Sequence, residues 1–225
     1  MSNSSIRPQT IQTKKLILLA VLCAIAYLCV FVFRIPVVSF LKYEPKDVII
    51  TLGAFLFGPL EAIIMSIVVS LVEMITISTT GPIGMIMNII STCAFAAIAA
   101  FIYQKKPTIS GAVIGLISGT VFMTLLMLLW NYLITPFYLS TPREVVADML
   151  LPVFLPFNLL KGGLNTAITL LLYKPIFQVL QKSGFTFKYT AFQSSKKSNL
   201  ILLWIGASFI LISCALIVVL LNFSS

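Results

Sequence analysis

Asn158, Lys161 and Asn165 lie at i, i+3 and i+7 within an apolar run from about Leu150 to Val179. On a helix of ~3.6 residues per turn they fall within roughly a 60° arc. An amine and two amides on one stripe of a greasy helix need partners or water. Their chemistry is recognition rather than bond making: N–H donors with amide carbonyl acceptors suit a neutral, flat or polyhydroxylated molecule bearing carbonyls and ring nitrogens. Asn131 and Asn88 are the other amides set in apolar runs, and Leu41, Tyr43, Met85, Phe154 and Phe157 are candidates for apolar contact with the ligand's faces. No carboxylate shares these stripes, which disfavours a cationic ligand. Asn88 and Asn165 have a second reading as hydrogen-bonding glue between helices, and Lys161 as a side chain snorkelling to an interface.

Other chemistries find little support. The chain has no histidine, which removes the usual general base and metal ligand. Cys23, Cys29, Cys93 and Cys214 stand singly in apolar runs without CxxC spacing and read as core or lipid-facing residues. No GxxxxGK[ST] phosphate loop occurs, and Glu61 and Glu73 are placed near the ends of their run, so an intramembrane carboxylate relay is not expected. The expectation is a binding protein, not an enzyme, with no metal and no cofactor.

The elements that position the stripe are set by hydropathy. Of 225 residues, 60% are hydrophobic and 9% charged, and the mean hydropathy is +1.10. An ordinary soluble domain has about 25% charged residues, so the chain is expected to be an all-α integral membrane protein in a lipid bilayer. The net charge of +9 sits mostly between apolar runs and at the ends, which suits membrane topology and not nucleic acid. Residues 1–15 read as a polar N-terminal tail without a signal-peptide cleavage site. Residues 16–181 carry the spans, 182–199 form a basic linker, and 200–221 are long enough for an additional C-terminal transmembrane helix. The run from Val48 to Phe57 is too short to cross a ~30 Å core and ends at Gly58-Pro59, which reads as a broken or partly inserted element. Gly111, Gly115 and Gly119 repeat GxxxG and predict a close helix contact, and Ala20 and Ala24 make a flat patch on the first span.

With a cytoplasmic N-terminus, alternating crossings place most Lys and Arg inside, among them Lys14, Lys15, Lys105, Lys106, Lys182, Lys196 and Lys197. The same arrangement puts Asn131, the outer half of the Asn158–Asn165 span and the Leu41–Asp47 connection on the exterior side.

Six segments together carry a resemblance: Ala20-xxx-Ala24, Leu41-Lys42-Tyr43-Glu44-Pro45-Lys46-Asp47, Gly53 to Pro59, Gly81-Pro82-Ile83-Gly84-Met85-Ile86-Met87-Asn88, Trp130-Asn131-Tyr132-Leu133-Ile134-Thr135-Pro136 and Pro156-Phe157-Asn158-Leu159-Leu160-Lys161-Gly162. Over about residues 16–181 the chain resembles the substrate-binding (S) component of energy-coupling factor (ECF) vitamin transporters, in particular the riboflavin-specific branch. The resemblance implies a six-helix S-component bundle in the cell membrane that binds riboflavin with high affinity as transported ligand. It implies a transmembrane coupling subunit and two ABC-type ATPase subunits as partners, which power uptake. On that basis Asn131, Asn158 and Lys161 hydrogen-bond the flavin, Asn88 and the Leu41–Tyr43 loop line the pocket, and Ala20 and Ala24 form the docking patch. The additional C-terminal helix departs from the family's usual core. The alternatives are an S component for a different vitamin or nucleobase, or a stand-alone membrane facilitator.

Overall fold

The computed structural model describes residues 8–38 and 41–182, with scattered residues from Trp204 to Ile217. The linker 182–199 lies almost wholly outside the described residues, as does most of the expected helix 200–221. Those of its residues that are described are helical, with Ala207 and Cys214 buried.

Helix α1 (Pro8–Val32) leads into a short antiparallel hairpin, β1 (Ile35–Val38) and β2 (Leu41–Tyr43). Then follow α2 (Lys46–Phe57), α3 (Pro59–Thr76), α4 (Gly81–Lys105), α5 (Ile109–Leu139), α6 (Arg143–Met149), a π-helical turn (Leu150–Phe154) and α7 (Leu155–Lys182). Among the described residues five helices are long and apolar enough to cross a membrane: α1, α3, α4, α5 and the continuous stretch from α6 through α7. They turn large apolar side chains such as Leu16, Phe31, Ile64, Ile75 and Leu125 outward. In water such a surface would aggregate, whereas lipid solvates it.

The twelve-residue α2 spans only ~18 Å. It lies inside the bundle with ten of its residues buried, against α1, α3, α4 and α7. Gly58 stops it at φ 136°, a backbone conformation that side chains with a Cβ rarely adopt, and Pro59 opens α3 at its first turn, where a missing N–H costs nothing. The short element is therefore the bundle's central post, running from the cavity end, where Lys46 pairs with Glu73, to the opposite end, where Gly58 lies beside Gln104, and it counts as a crossing in the topology.

α4 and α5 make the tightest helix contact. A Cβ on Gly115 would stand 2.6 Å from the Ala99 carbonyl oxygen, and one on Gly119 2.5 Å from that of Phe95. The GxxxG ridge is thus the face on which two backbones touch, which brings α4 and α5 together beside the cavity described below.

Three local features set the geometry further. Helix α1 begins at Pro8, within the polar tail. The connection before α2 is a hairpin, which its Val37, Leu41 and Tyr43 stabilise by packing inward. Residues 143–149 form the helix α6; Pro152 lies within the π-helical turn and Pro156 two residues beyond it, and each lacks the N–H of a regular ladder where it widens to i→i+5.

Candidate functional site

The cavity lies at the end of the bundle where α4 and α7 begin and α5 ends, with the hairpin folded across it. Its volume is about 150 Å³, and it is lined by Asn88 and Ser91 of α4, Met127, Trp130, Asn131 and Thr135 of α5, Phe157, Asn158 and Lys161 of α7, and Leu41, Lys42 and Glu44 of the hairpin region. Arg34, Met87 and Tyr138 complete much of the rest.

Asn131 and Asn158 are each fixed by their own helix. Asn131 Nδ2 donates to the Met127 carbonyl at 2.7 Å, and Thr135 Oγ1 donates to Asn131 Oδ1 at 2.8 Å. Asn158 Nδ2 donates to the Phe154 carbonyl at 2.8 Å, the last residue of the π-helical turn. Each amide keeps a second N–H and acceptor capacity for a ligand. Lys161 Nζ donates to Ser91 Oγ at 3.1 Å and lies 3.2 Å from Asp47 Oδ2. An ammonium has three donors, so one remains for the cavity. Trp130, Met127 and Phe157 supply apolar surface beside these groups. The arrangement can grip the polar edge of a flat molecule while covering its faces.

Other expected contacts fall elsewhere. Asn165 is fully buried and does not line the cavity: its Nδ2 donates to Asp47 Oδ2 at 3.2 Å, and its Oδ1 accepts from the Tyr43 hydroxyl at 3.0 Å. Tyr43 and Asn165 therefore fasten the hairpin to α7 behind the cavity wall. Met85 is half-buried and off the lining, whereas Ile83, Gly84 and Met87 of the same helix are on it. Asn88 lines the cavity and also donates to Glu73 Oε1 at 3.3 Å. Phe154 packs against Leu41 in a small apolar cluster with Val146 and Phe157.

A charged network lies beside the cavity. Glu44 lines the wall, and Glu73, in the last turn of α3, is 2% exposed. Lys46, fully buried, bridges Glu44 Oε2 at 3.0 Å and Glu73 Oε2. Arg34 reaches Glu44 Oε1 at 2.9 Å, Glu73 Oε1 at 3.5 Å and the Ile77 carbonyl at 2.9 Å. With Asp47 and Lys161 the network holds three acids and three cations, so no net charge is buried. Burial alone would raise the Glu44 carboxyl, but Lys46, Arg34 and Lys161 together hold it below its ordinary value. Arg34, Glu44, Asp47 and Glu73 were not picked out as site residues from the sequence. The signal available was an equal number of acids and bases crowded around a short apolar run.

Comparison with known proteins gives the family. The family model "ECF transporter, substrate-specific component" matches residues 14–173. Over 179 residues the chain is 30% identical to the riboflavin transporter RibU of Staphylococcus aureus (strain TCH60), covering 76% of this chain and 94% of that one. It is 28% identical over 173 residues to the riboflavin transporter FmnP of Bacillus subtilis (strain 168), covering 72% and 91% respectively. A solved structure of the S component of a bacterial ECF transporter superposes with a TM-score of 0.65 at 30% identity, over 76% of this chain and 99% of that one. With the family model matching most of its length, and with its bundle of membrane-length helices, the chain belongs to the substrate-specific components of ECF transporters, as a multi-pass membrane protein.

Proposed function

We propose that this chain captures riboflavin in the cavity at the hairpin end and passes it on within an ATP-driven uptake complex. The observation that carries this reading is the meeting of Asn131, Asn158 and Lys161 on one cavity whose other walls include Trp130 and Phe157, in a chain whose curated relatives are riboflavin transporters. The polar edge of an isoalloxazine ring offers carbonyls and ring nitrogens to such a set, and its faces suit apolar walls. Glu44 is engaged by Arg34 and Lys46, so its presence on the wall does not turn the site toward cations. The chain is a binding subunit and not an enzyme. Titration of purified protein with riboflavin, followed by flavin fluorescence, should show saturable quenching. A protein that ignores riboflavin and takes up another vitamin or a nucleobase overturns the assignment.

The N-terminus is cytoplasmic and the cavity faces out. Lys14, Lys15, Lys105, Lys106 and Lys182 gather at the end away from the cavity, in keeping with the positive-inside rule. The partners are a transmembrane coupling subunit and two ABC-type ATPases. Ala20 and Ala24 are both exposed on α1, a helix that leaves most of its surface uncovered, and their small size suits close helix approach. Ala24→Arg should leave riboflavin binding within about twofold yet cut cellular uptake at least about tenfold, because a bulky charge at a packed contact costs ~2 kcal/mol or more. Uptake in liposomes by the chain alone, without ATPases, would instead identify a facilitator.

A further inference from the structure

Asp47 is fully buried and does not line the cavity, yet its carboxylate gathers three separate donors. Thr92 Oγ1 of α4 donates to Oδ1 at 2.6 Å, Asn165 Nδ2 of α7 donates to Oδ2 at 3.2 Å, and Lys161 Nζ stands 3.2 Å from the same Oδ2. The first two donors are neutral and tie the N-terminus of α2 to its neighbours. The third is the one cationic group that α7 presents to the cavity. A lysine ammonium rides on a flexible four-carbon stem, so its direction must be set by what it binds. Ser91 and Asp47 take two of its three N–H groups from two different helices, α4 and α2, and so fix where the third points.

We infer that Asp47 is the positioning residue for Lys161: it holds the ammonium aimed into the cavity, and so sets ligand affinity without touching the ligand. The inference rests on the riboflavin reading above. The alternative role, a purely structural hub, is separable by chemistry. In Asp47→Asn the new Oδ1 still accepts from Thr92. Asn165 can rotate its amide by half a turn, so that its Oδ1 accepts from the new Nδ2 while its own Nδ2 donates to the Tyr43 hydroxyl. Every neutral partner then keeps a hydrogen bond: the one at Tyr43 is reversed and costs its O–H an acceptor, which the melting temperature reads, whereas Lys161 loses its only anionic partner among the described residues.

The test is a riboflavin titration of wild type, D47N, K161M and D47N/K161M, with Thr92→Val as a second probe and unliganded melting temperatures for all. D47N should weaken riboflavin binding about tenfold, the scale of a lost charge-assisted contact. In the K161M background the same change should alter affinity by less than about twofold, since residues acting as one unit are non-additive. T92V breaks the structural bond alone, so it should lower the melting temperature and leave affinity within about twofold. The inference is overturned if D47N binds like wild type, or costs equally with and without Lys161. It also falls if T92V weakens binding as much as D47N, or if D47N cannot be isolated folded. Absence of riboflavin binding by the wild type overturns the riboflavin reading itself and the inference with it.

Discussion

Replacing Lys161 by alanine is expected to lower riboflavin affinity by about a hundredfold, because a hydrogen bond from a charged donor contributes roughly 1.5–3 kcal/mol. It should also reduce stability, for a reason unrelated to the ligand. Asp47 would keep Thr92 and Asn165 but lose its only cation within 4 Å among the described residues. Breaking a buried pair from one side costs about 3–5 kcal/mol, and the two neutral donors place this case at the lower end. The two losses come apart in the double variant with Asp47→Asn, which should regain much of the melting temperature and none of the affinity. Membrane insertion should be unaffected, since removing a lysine only makes α7 more apolar. Unchanged affinity in a titration of purified Lys161→Ala would remove this residue from the site.

The double duty of Lys161 shows what the sequence could and could not supply. A polar residue in an apolar helix announces that something must satisfy it, so Asn131, Asn158 and Lys161 stand out by type alone, and the structure gathers all three on one cavity. The i, i+3, i+7 spacing fixes their direction around the helix. It does not fix which partner lies opposite at each level, and this is where Asn165 diverges: one turn beyond Lys161 it meets Asp47 and Tyr43 in place of open space. Met85 diverges by rotation along α4, where residues one and two positions away line the wall. Most of the membrane-length helices follow from hydropathy, whereas the interior position of α2 depends on four neighbours that no local pattern encodes. The acids were the hardest to place. Charge beside a proline reads as a solvated loop, and nothing in Leu41–Asp47 alone reveals that Arg34 turns back to pair with Glu44 or that Glu73 of α3 pairs with Lys46.

Those acids also set how binding and stability are linked. Glu44 faces the cavity on one side and the Arg34–Lys46–Glu73 cluster on the other. Its carboxylate is therefore part of the wall a ligand meets, while the groups that fix it belong to the α1–β1 connection, α2 and α3. The hairpin is held over the cavity from two directions: by this cluster at Glu44 and by the Tyr43–Asn165 bond at its base. Disturbing either should be felt in the site without any lining residue having been changed.

The largest effect on stability is expected from Lys46→Met. Methionine has nearly the length of lysine without its charge, so packing changes little and the electrostatic consequence dominates. Lys46 is wholly buried between Glu44 and Glu73. Without it two carboxylates share Arg34, whose side chain is 21% exposed and lies 3.5 Å from Glu73. Leaving a buried carboxylate uncompensated costs about 3–5 kcal/mol. The pH dependence of the Glu44 contribution should reverse as well. In the wild type, cations hold the Glu44 pKa below its ordinary value of 4.5, so its contribution to stability is present above pH 4.5 and is lost as pH falls through the lower folded value. In Lys46→Met the burial that opposes ionisation loses its main counterweight, so the folded pKa rises above the unfolded one. Protonation then favours the folded state, and stability increases as pH falls from 7 toward 5. Melting temperatures measured across pH 5–8 should climb on acidification more steeply for the variant than for the wild type. The further change Glu73→Gln should restore part of the loss at pH 7 by removing one of the two competing acids. A variant that melts at the wild-type temperature at pH 7, or that loses stability on acidification from 7 to 5, would show that Arg34 alone neutralises the pair and that Lys46 is dispensable to the bundle.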